Sequence, residues 1–476
     1  MQNYKIIEVL KSLNKKEFKK FGEYVYSPFF NKNGNVRKLY DSLSKYYPKF
    51  DSRNVTVEKI FEKVFPKDKY NYFKISNVIS DLYKLSESYL YYIGVSKENI
   101  SYKHNLLKEL SERGLDVIYE HTEKIYKKEI DNLKVKDENY YNYLYRFYTE
   151  SLNYNISKKP VDHPKIIQSQ FENFLNYSNV SLLKLYMYMH HLKKQNKVVF
   201  NMEMFESFSS YVKAKDFEDN PAYMIYKGIM MLEFNKEKRY FLKLKEIKNK
   251  YADKISSSDL HNVLIFMHSF TAEMINKDGD EDFQREEFVL IKEMIDRKIY
   301  TPKNMIYPNL INIYKSACTQ KEYEWANKFL QDCLKNIPEK DKSNTLNCCI
   351  GYMHYRKKNF SKALESFAKT NFQWFILKIF VKTLTLRIYY EEEMFEQAFN
   401  FIDSFRHYLQ NDDKIIEEHK AAHIIFLKYL TSLIKIRMSS KSNSFEIKKL
   451  NENIVNMENN SFGVKQWLLR KIKEVK

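Results

Sequence analysis

Two histidines four apart, a spaced run of carboxylates and a cluster of lysines are the residues of this sequence whose types and spacing could do chemistry. His419 and His423 fall on one face of a predicted helix beside Glu418, a spacing that could present two imidazoles to one metal ion. No third ligand is identifiable, so surface or packing roles explain the pair better. Asn276, Asp278, Asp280 and Glu287 stand at the first, third, fifth and twelfth places of a calcium-binding loop. Glu281 occupies the place that needs Gly for the sharp turn, and a solvated turn between helices is expected instead.

Lys15, Lys16, Lys19 and Lys20 share one face of a predicted helix, opposite Phe18 and Phe21. Four ammonium groups within two turns could meet phosphates or a carboxylate-rich peptide. An ordinary amphipathic helix would leave the same four in water. Tyr140, Tyr141, Tyr143, Tyr145, Phe147, Tyr148 and Tyr154 offer rings on which bases could stack. Spread around a helix, they are expected to fill space between helices. The four cysteines, Cys318, Cys333, Cys348 and Cys349, contain no Cys-x-x-Cys pair, and on a helix the adjacent two diverge by about 100°. Buried free thiols are expected.

Other chemistries are missing. The eight glycines never come closer than 12 residues apart, whereas phosphate loops of the Rossmann and Walker kinds need two or more within about six residues. There is no Gly-x-Ser-x-Gly elbow, no His-Glu-x-x-His and no kinase catalytic loop. No catalytic residue, cofactor or metal is assigned from the sequence.

The elements that position these residues follow from composition. Eight glycines and nine prolines in 476 residues are far below the ordinary share of about 12%. Barrels, sandwiches and doubly wound sheets need a turn signal every ~10 residues, so an all-α fold remains. With 44% hydrophobic residues the chain can fill a core, which excludes global disorder. Its length is about three domains' worth. Eighty basic against 61 acidic side chains give a net charge of +19, which would attract nucleic acid or acidic partners, although AT-rich codons favour the same abundant residues. The excess is uneven: residues 1–50 carry 11 positive and 4 negative side chains, and residues 251–300 carry 6 and 11. Charges interrupt Met1 to Leu13, so no secretory signal is legible. The most apolar run, Phe372 to Val381, is too short to span a bilayer. No membrane span and a cytoplasmic location are therefore expected.

The first hundred residues read as five helices. Ile6, Leu10 and Leu13 share a face, and Asn14 with Glu17 forms a capping box before Phe18, Phe21 and Val25. Helices follow over 37–46 and 57–65, then over 72–93 with Gly94 placed to end the last. Ser27-Pro28-Phe29-Phe30-Asn31, Tyr46-Tyr47-Pro48-Lys49-Phe50-Asp51 and Ser80-Asp81-Leu82 resemble the opening of a group of uncharacterised bacterial helical proteins, a likeness that carries no activity.

Between about residues 310 and 410 one spacing recurs three times: Tyr323, Ala326, Leu330; Phe360, Ala363, Phe367; Phe395, Ala398, Ile402. The alanines are 37 and 35 residues apart. With Ile350-Gly351 in the middle copy and Pro338 closing the first, this stretch resembles the tetratricopeptide repeat family, whose signature places Ala-x-x-x-Phe on the second helix of a hairpin. Tyr314 and Leu386 replace the family's Gly in the outer copies. A small residue at Ala326, Ala363 and Ala398 would let paired helices approach closely. The resemblance implies an α-solenoid of stacked antiparallel hairpins, each burying its apolar flank against its neighbours.

The expected layout is a helical head over 1–96, degenerate hairpins over 97–300, tetratricopeptide-like repeats over 301–437 and capping helices over 438–476. The expected role is a non-enzymatic scaffold or adaptor that binds a partner's peptide or helix in a groove, with Lys15, Lys16, Lys19 and Lys20 as candidate contacts. The alternative is a nucleic-acid-binding regulator that uses the basic head.

Overall fold

The computed structural model describes residues 4–51, 55–97, 99–156, 158, 162–195, 198–412, 415, 417–439, 444–457 and 461–475. Among them there is no strand: every regular element is helical. Contacts divide the chain into two compact units, Met1–Leu133 with Asn139–Tyr177, and Lys134–Glu138 with Ser178–Lys476.

The first unit holds α1 (Lys5–Ser12), α2 (Lys15–Tyr26), α3 (Gly34–Ser44), α4 (Val57–Val64), α5 (Tyr72–Lys97), α6 (Asn99–Glu112), α7 (Asp116–Asp131), most of α8 (Glu138–Asn155) and the first half of α9 (His163–Gln195). Asn14 accepts hydrogen bonds from the backbone of Lys16 and Glu17, while the Glu17 side chain accepts from the Asn14 N–H, so the expected capping box is present. Helices α1 to α5 bury Ile6, Leu10, Phe21, Leu39, Phe61 and Ile79 in one core. Asn31, from the Ser-Pro-Phe-Phe-Asn stretch, donates its amide to the Val25 carbonyl at 2.8 Å and so seals the end of α2. Gly94 does not end α5, which continues to Lys97. Its φ is not left-handed, and the cost of about 1 kcal/mol for a mid-helix Gly is offset by its helical neighbours. The α8 aromatics pack as filler: Tyr154 stacks on Tyr119 at 3.6 Å, and Phe147 meets Tyr126 edge-on at 5.6 Å.

The second unit completes α9 and adds α10 (Phe205–Ala214), α11 (Pro221–Asn235), α12 (Lys238–Tyr251), α13 (Ser257–Asp278), α14 (Glu281–Asp296), α15 (Tyr307–Thr319), α16 (Tyr323–Leu334), α17 (Glu339–Arg356), α18 (Phe360–Ala368), α19 (Phe375–Glu391), α20 (Phe395–Asn411), α21 (Glu417–Met438), α22 (Ser444–Val455) and α23 (Val464–Glu474). Successive helices pair, α11 with α12, α13 with α14, α15 with α16, α17 with α18 and α19 with α20.

The last three pairs share a register. Tyr323, Phe360 and Phe395 each open the second helix. Ala326, Ala363 and Ala398 are buried, as are Leu330, Phe367 and Ile402 four residues on. Volume is traded across each pair. In the middle one a Cβ on Gly351 would lie 2.6 Å from the Phe367 ring, so the largest groove residue sits on the smallest partner. In the same register the outer pairs carry bulkier Tyr314 and Leu386 at the glycine's place and smaller Leu330 and Ile402 at the phenylalanine's, the direction that close packing favours.

Each pair also closes by the same turn. Lys321, Lys358 and Glu393 adopt left-handed φ values of 64°, 59° and 56°. The next residue donates to a carbonyl five back: Glu322 to Ala317 at 3.0 Å, Asn359 to His354 at 2.9 Å and Met394 to Tyr389 at 2.8 Å. Lys298, with φ 60°, ends α14 in the same way.

Candidate functional site

Helix α19 is buried on nearly all sides, yet it carries Lys378, Lys382 and Arg387. At 100° per residue, Phe380, Arg387 and Glu391 share one face, and Lys378, Lys382, Thr385 and Tyr389 share another about 170° away.

The Arg387 face holds a piece of the chain's own C-terminal region. Phe462 (φ 54°) and Gly463 (φ 64°) are consecutive left-handed residues that turn the chain into α23. The Arg387 guanidinium, almost fully buried, donates to the Phe462 carbonyl at 2.7 Å. The Phe462 ring lies 5.4 Å from Phe380, edge to face, and 5.7 Å from the His423 imidazole, nearly parallel. One helical turn on, the Trp467 indole N–H donates to Glu391 at 3.1 Å and its ring meets Tyr390 edge-on at 5.3 Å. Lys471 pairs with the other Glu391 oxygen at 2.7 Å and with Glu474 at 2.9 Å. Burial alone would pull the Lys471 ammonium down, but the two carboxylates outweigh it and hold the group above its ordinary value. At the far end the Gln466 amide donates to the Lys277 carbonyl at 3.2 Å, and a Cβ on Gly279 (φ 66°) would lie 2.5 Å from the Gln466 side chain.

The segment 461–474 therefore touches helices as distant in sequence as α13, α19 and α21. The expectation that each hairpin packs only on its neighbours fails here, because the paired helices retain apolar and polar groups that a returning segment can satisfy. Underneath, Lys315 on α15 lies 4.2 Å from the Phe380 ring centroid and 5.8 Å from that of Phe462. Burial lowers its ammonium, and Glu287 on α14 opposes the shift. His268 on α13 is likewise held down by burial, with Glu287 3.9 Å away working against it.

The sequence-derived candidates sit elsewhere. Lys15, Lys16, Lys19 and Lys20 are all exposed on α2, opposite buried Phe18, Phe21 and Val25, an arrangement common to the solvated-face and ligand readings. His423 is buried among the aromatic rings, and the side chains of Glu418 and His419 lie outside the described residues. In the calcium-like stretch Gly279 ends α13, and Asp280 caps α14 by accepting from the N–H groups of Asp282 and Phe283. Glu287, nearly two turns further, faces His268. The Asp278 side chain lies outside the described residues. No cluster of three or more His, Cys, Asp or Glu among the described residues could hold a metal ion. All four cysteines are buried thiols, and burial pushes Cys318, Cys333 and Cys348 up to about 12.

Sequence reasoning missed Arg387, Glu391, Phe462 and Trp467. The available signal was a basic residue inside Leu384-Thr385-Leu386-Arg387-Ile388, since a charge amid apolar residues on a buried helix needs a specific acceptor. Among the described residues no helix is long and apolar enough to cross a membrane. Comparison with known proteins finds no matching family model, no matching curated protein and no matching solved structure.

Proposed function

We infer that this chain is a non-enzymatic interaction protein, a scaffold or adaptor whose helical repeats hold a peptide or helix of a partner protein. The observation that carries this reading is the clasp on 461–474. Helices α15, α19 and α21 hold the chain's own 461–474 segment by an arginine-to-carbonyl bond, aromatic contacts and a carboxylate that takes an indole N–H, the kind of chemistry by which peptide grooves bind. A tetratricopeptide-like solenoid over about 310–410 belongs to the same reading. It is supported by the shared register of Tyr323, Ala326, Leu330, Gly351, Phe360, Ala363, Phe367, Phe395, Ala398 and Ile402 and by the repeated left-handed turn. A cytoplasmic location fits four cysteines left as thiols.

The test is a library of 15-residue peptides carrying two aromatics four to six positions apart, screened against the full chain and against a chain shortened to residues 1–456 that has lost no helicity beyond that of α23. The shortened chain should select aromatic-pair peptides that the full chain binds more weakly. Selection of none by either chain contradicts the reading. The second reading, nucleic-acid binding through the head, is favoured by the four exposed lysines of α2. It requires duplex binding at physiological salt that Lys15→Glu with Lys19→Glu abolishes.

A further inference from the structure

The other face of α19 opens on a cleft of about 540 Å³ between α18, α19 and α20. A volume of that size suits a small organic molecule. Its apolar wall is made by Phe372, Val381, Tyr389 and Phe401, and Lys378 and Lys382 line it on the α19 side. The Asn371 wall is fixed, because its N–H and carbonyl are both tied to the Asn344 amide, at 2.7 and 2.9 Å.

The two lysines are half-buried, and among the described residues neither meets a carboxylate. Instead the Lys382 ammonium lies 4.9 Å from the Phe401 ring, 5.6 Å from Phe405 and 5.4 Å from Tyr408, while Lys378 approaches the same Tyr408 ring at 5.9 Å. Two like charges thus converge over one aromatic ring. Burial and the neighbouring Lys378 hold the Lys382 ammonium below its ordinary value. The single carboxylate on the lining, Glu365, is already engaged by Lys369 at 2.7 Å. Asp412 acts on the hydroxyl of the same Tyr408 ring, while the cleft itself sets two lysines beside a flat apolar wall.

We propose that the cleft bounded by Lys378, Lys382, Phe372 and Phe401 is a binding site for a small aryl anion, an aromatic ring bearing a carboxylate or phosphate, with the anionic head between the two lysines and the ring against the phenylalanines. The site lies on the face of α19 turned away from the C-terminal segment, so it stands or falls apart from the peptide reading. An anion held by two ammonium groups and a buried ring combines charge-assisted hydrogen bonds with apolar area, each of which alone binds weakly.

Isothermal titration calorimetry of the full chain with phenyl phosphate, benzoate, inorganic phosphate and benzylamine tests it. Phenyl phosphate or benzoate should bind one-to-one, the tighter of the two naming the head group. Inorganic phosphate should bind on the order of tenfold more weakly and benzylamine not at all. Lys382→Ala and Lys378→Ala should each lower the aryl-anion affinity on the order of tenfold with unchanged helicity, and Lys382→Arg should retain it within a few-fold. Should Lys382→Ala fail to fold, Lys378→Gln carries the test. No binding of either aryl anion at about 5 mM, equal binding of benzylamine, or undiminished binding by both alanine variants would overturn the proposal.

Discussion

The two faces of α19 differ in how their cations are paired although both are built from cations and aromatic rings. On one, Arg387 has a carbonyl to donate to, and Glu391 is shared between an indole and an ammonium. On the other, Lys378 and Lys382 approach rings and, among the described residues, meet no carboxylate. The contrast teaches that a buried cation is fixed in the structure when its acceptor comes from the same chain, and is left to aromatic rings when no such acceptor reaches it. Lys471 and Lys382 record the difference in their ionisation: paired carboxylates hold the first up, and burial beside a like charge holds the second down.

Substitutions on the two faces should therefore differ in size and sign. All three tryptophans, Trp325, Trp374 and Trp467, lie in the second unit, so tryptophan fluorescence during urea unfolding reports on it. Trp467→Ala should cost about 3–5 kcal/mol, since it removes a buried aromatic and leaves Glu391 without its N–H donor. Arg387→Met should cost about 2 kcal/mol by leaving the Phe462 carbonyl unpaired. If both leave the transition unmoved, the clasp does not exist in solution.

The lysines supply the pH test. The folded value of Lys471 is raised above 10.5, so its contribution is present below that pH and lost only as pH climbs through the folded value. Lys382 is lowered, so it opposes folding at neutral pH and the penalty fades as pH rises toward 10.5. Between pH 8 and 10 the deficit of Lys471→Met should stay constant, while any advantage of Lys382→Met, within about 0.5 kcal/mol, should shrink. The opposite trends would erase the contrast between the faces. Lys358→Gly touches neither face and is the internal control for both. Its left-handed φ of 59° suits Gly, so stability should rise by about 0.5–1 kcal/mol in the same unfolding measurement.

Much of the helical content was legible because apolar spacing and capping residues are local: the Asn14 box and the Ala326, Ala363 and Ala398 register appear where the sequence places them. Helix ends were harder to read. Gly94 carries the ordinary stop signal and does not stop a helix, whereas Lys321, Lys358 and Glu393 end helices at a left-handed position without being Gly. The closing bonds from the following N–H groups hold those residues there, and no residue type reveals that. The clasp was not legible either. It joins residues such as Lys277 and Gln466, 189 positions apart, and nothing local marks which inner face a returning segment will meet.

The most direct measurement is fluorescence anisotropy of a labelled peptide spanning residues 457–475 titrated with the chain shortened to 1–456. Saturable binding with micromolar affinity is predicted, lost by about a hundredfold when the peptide carries Trp467→Ala and weakened by Arg387→Met in the shortened chain. A correctly helical shortened chain that fails to bind the peptide, or binds the Trp467→Ala version equally well, would contradict the claim that α19 and α21 hold the 461–474 segment through these contacts.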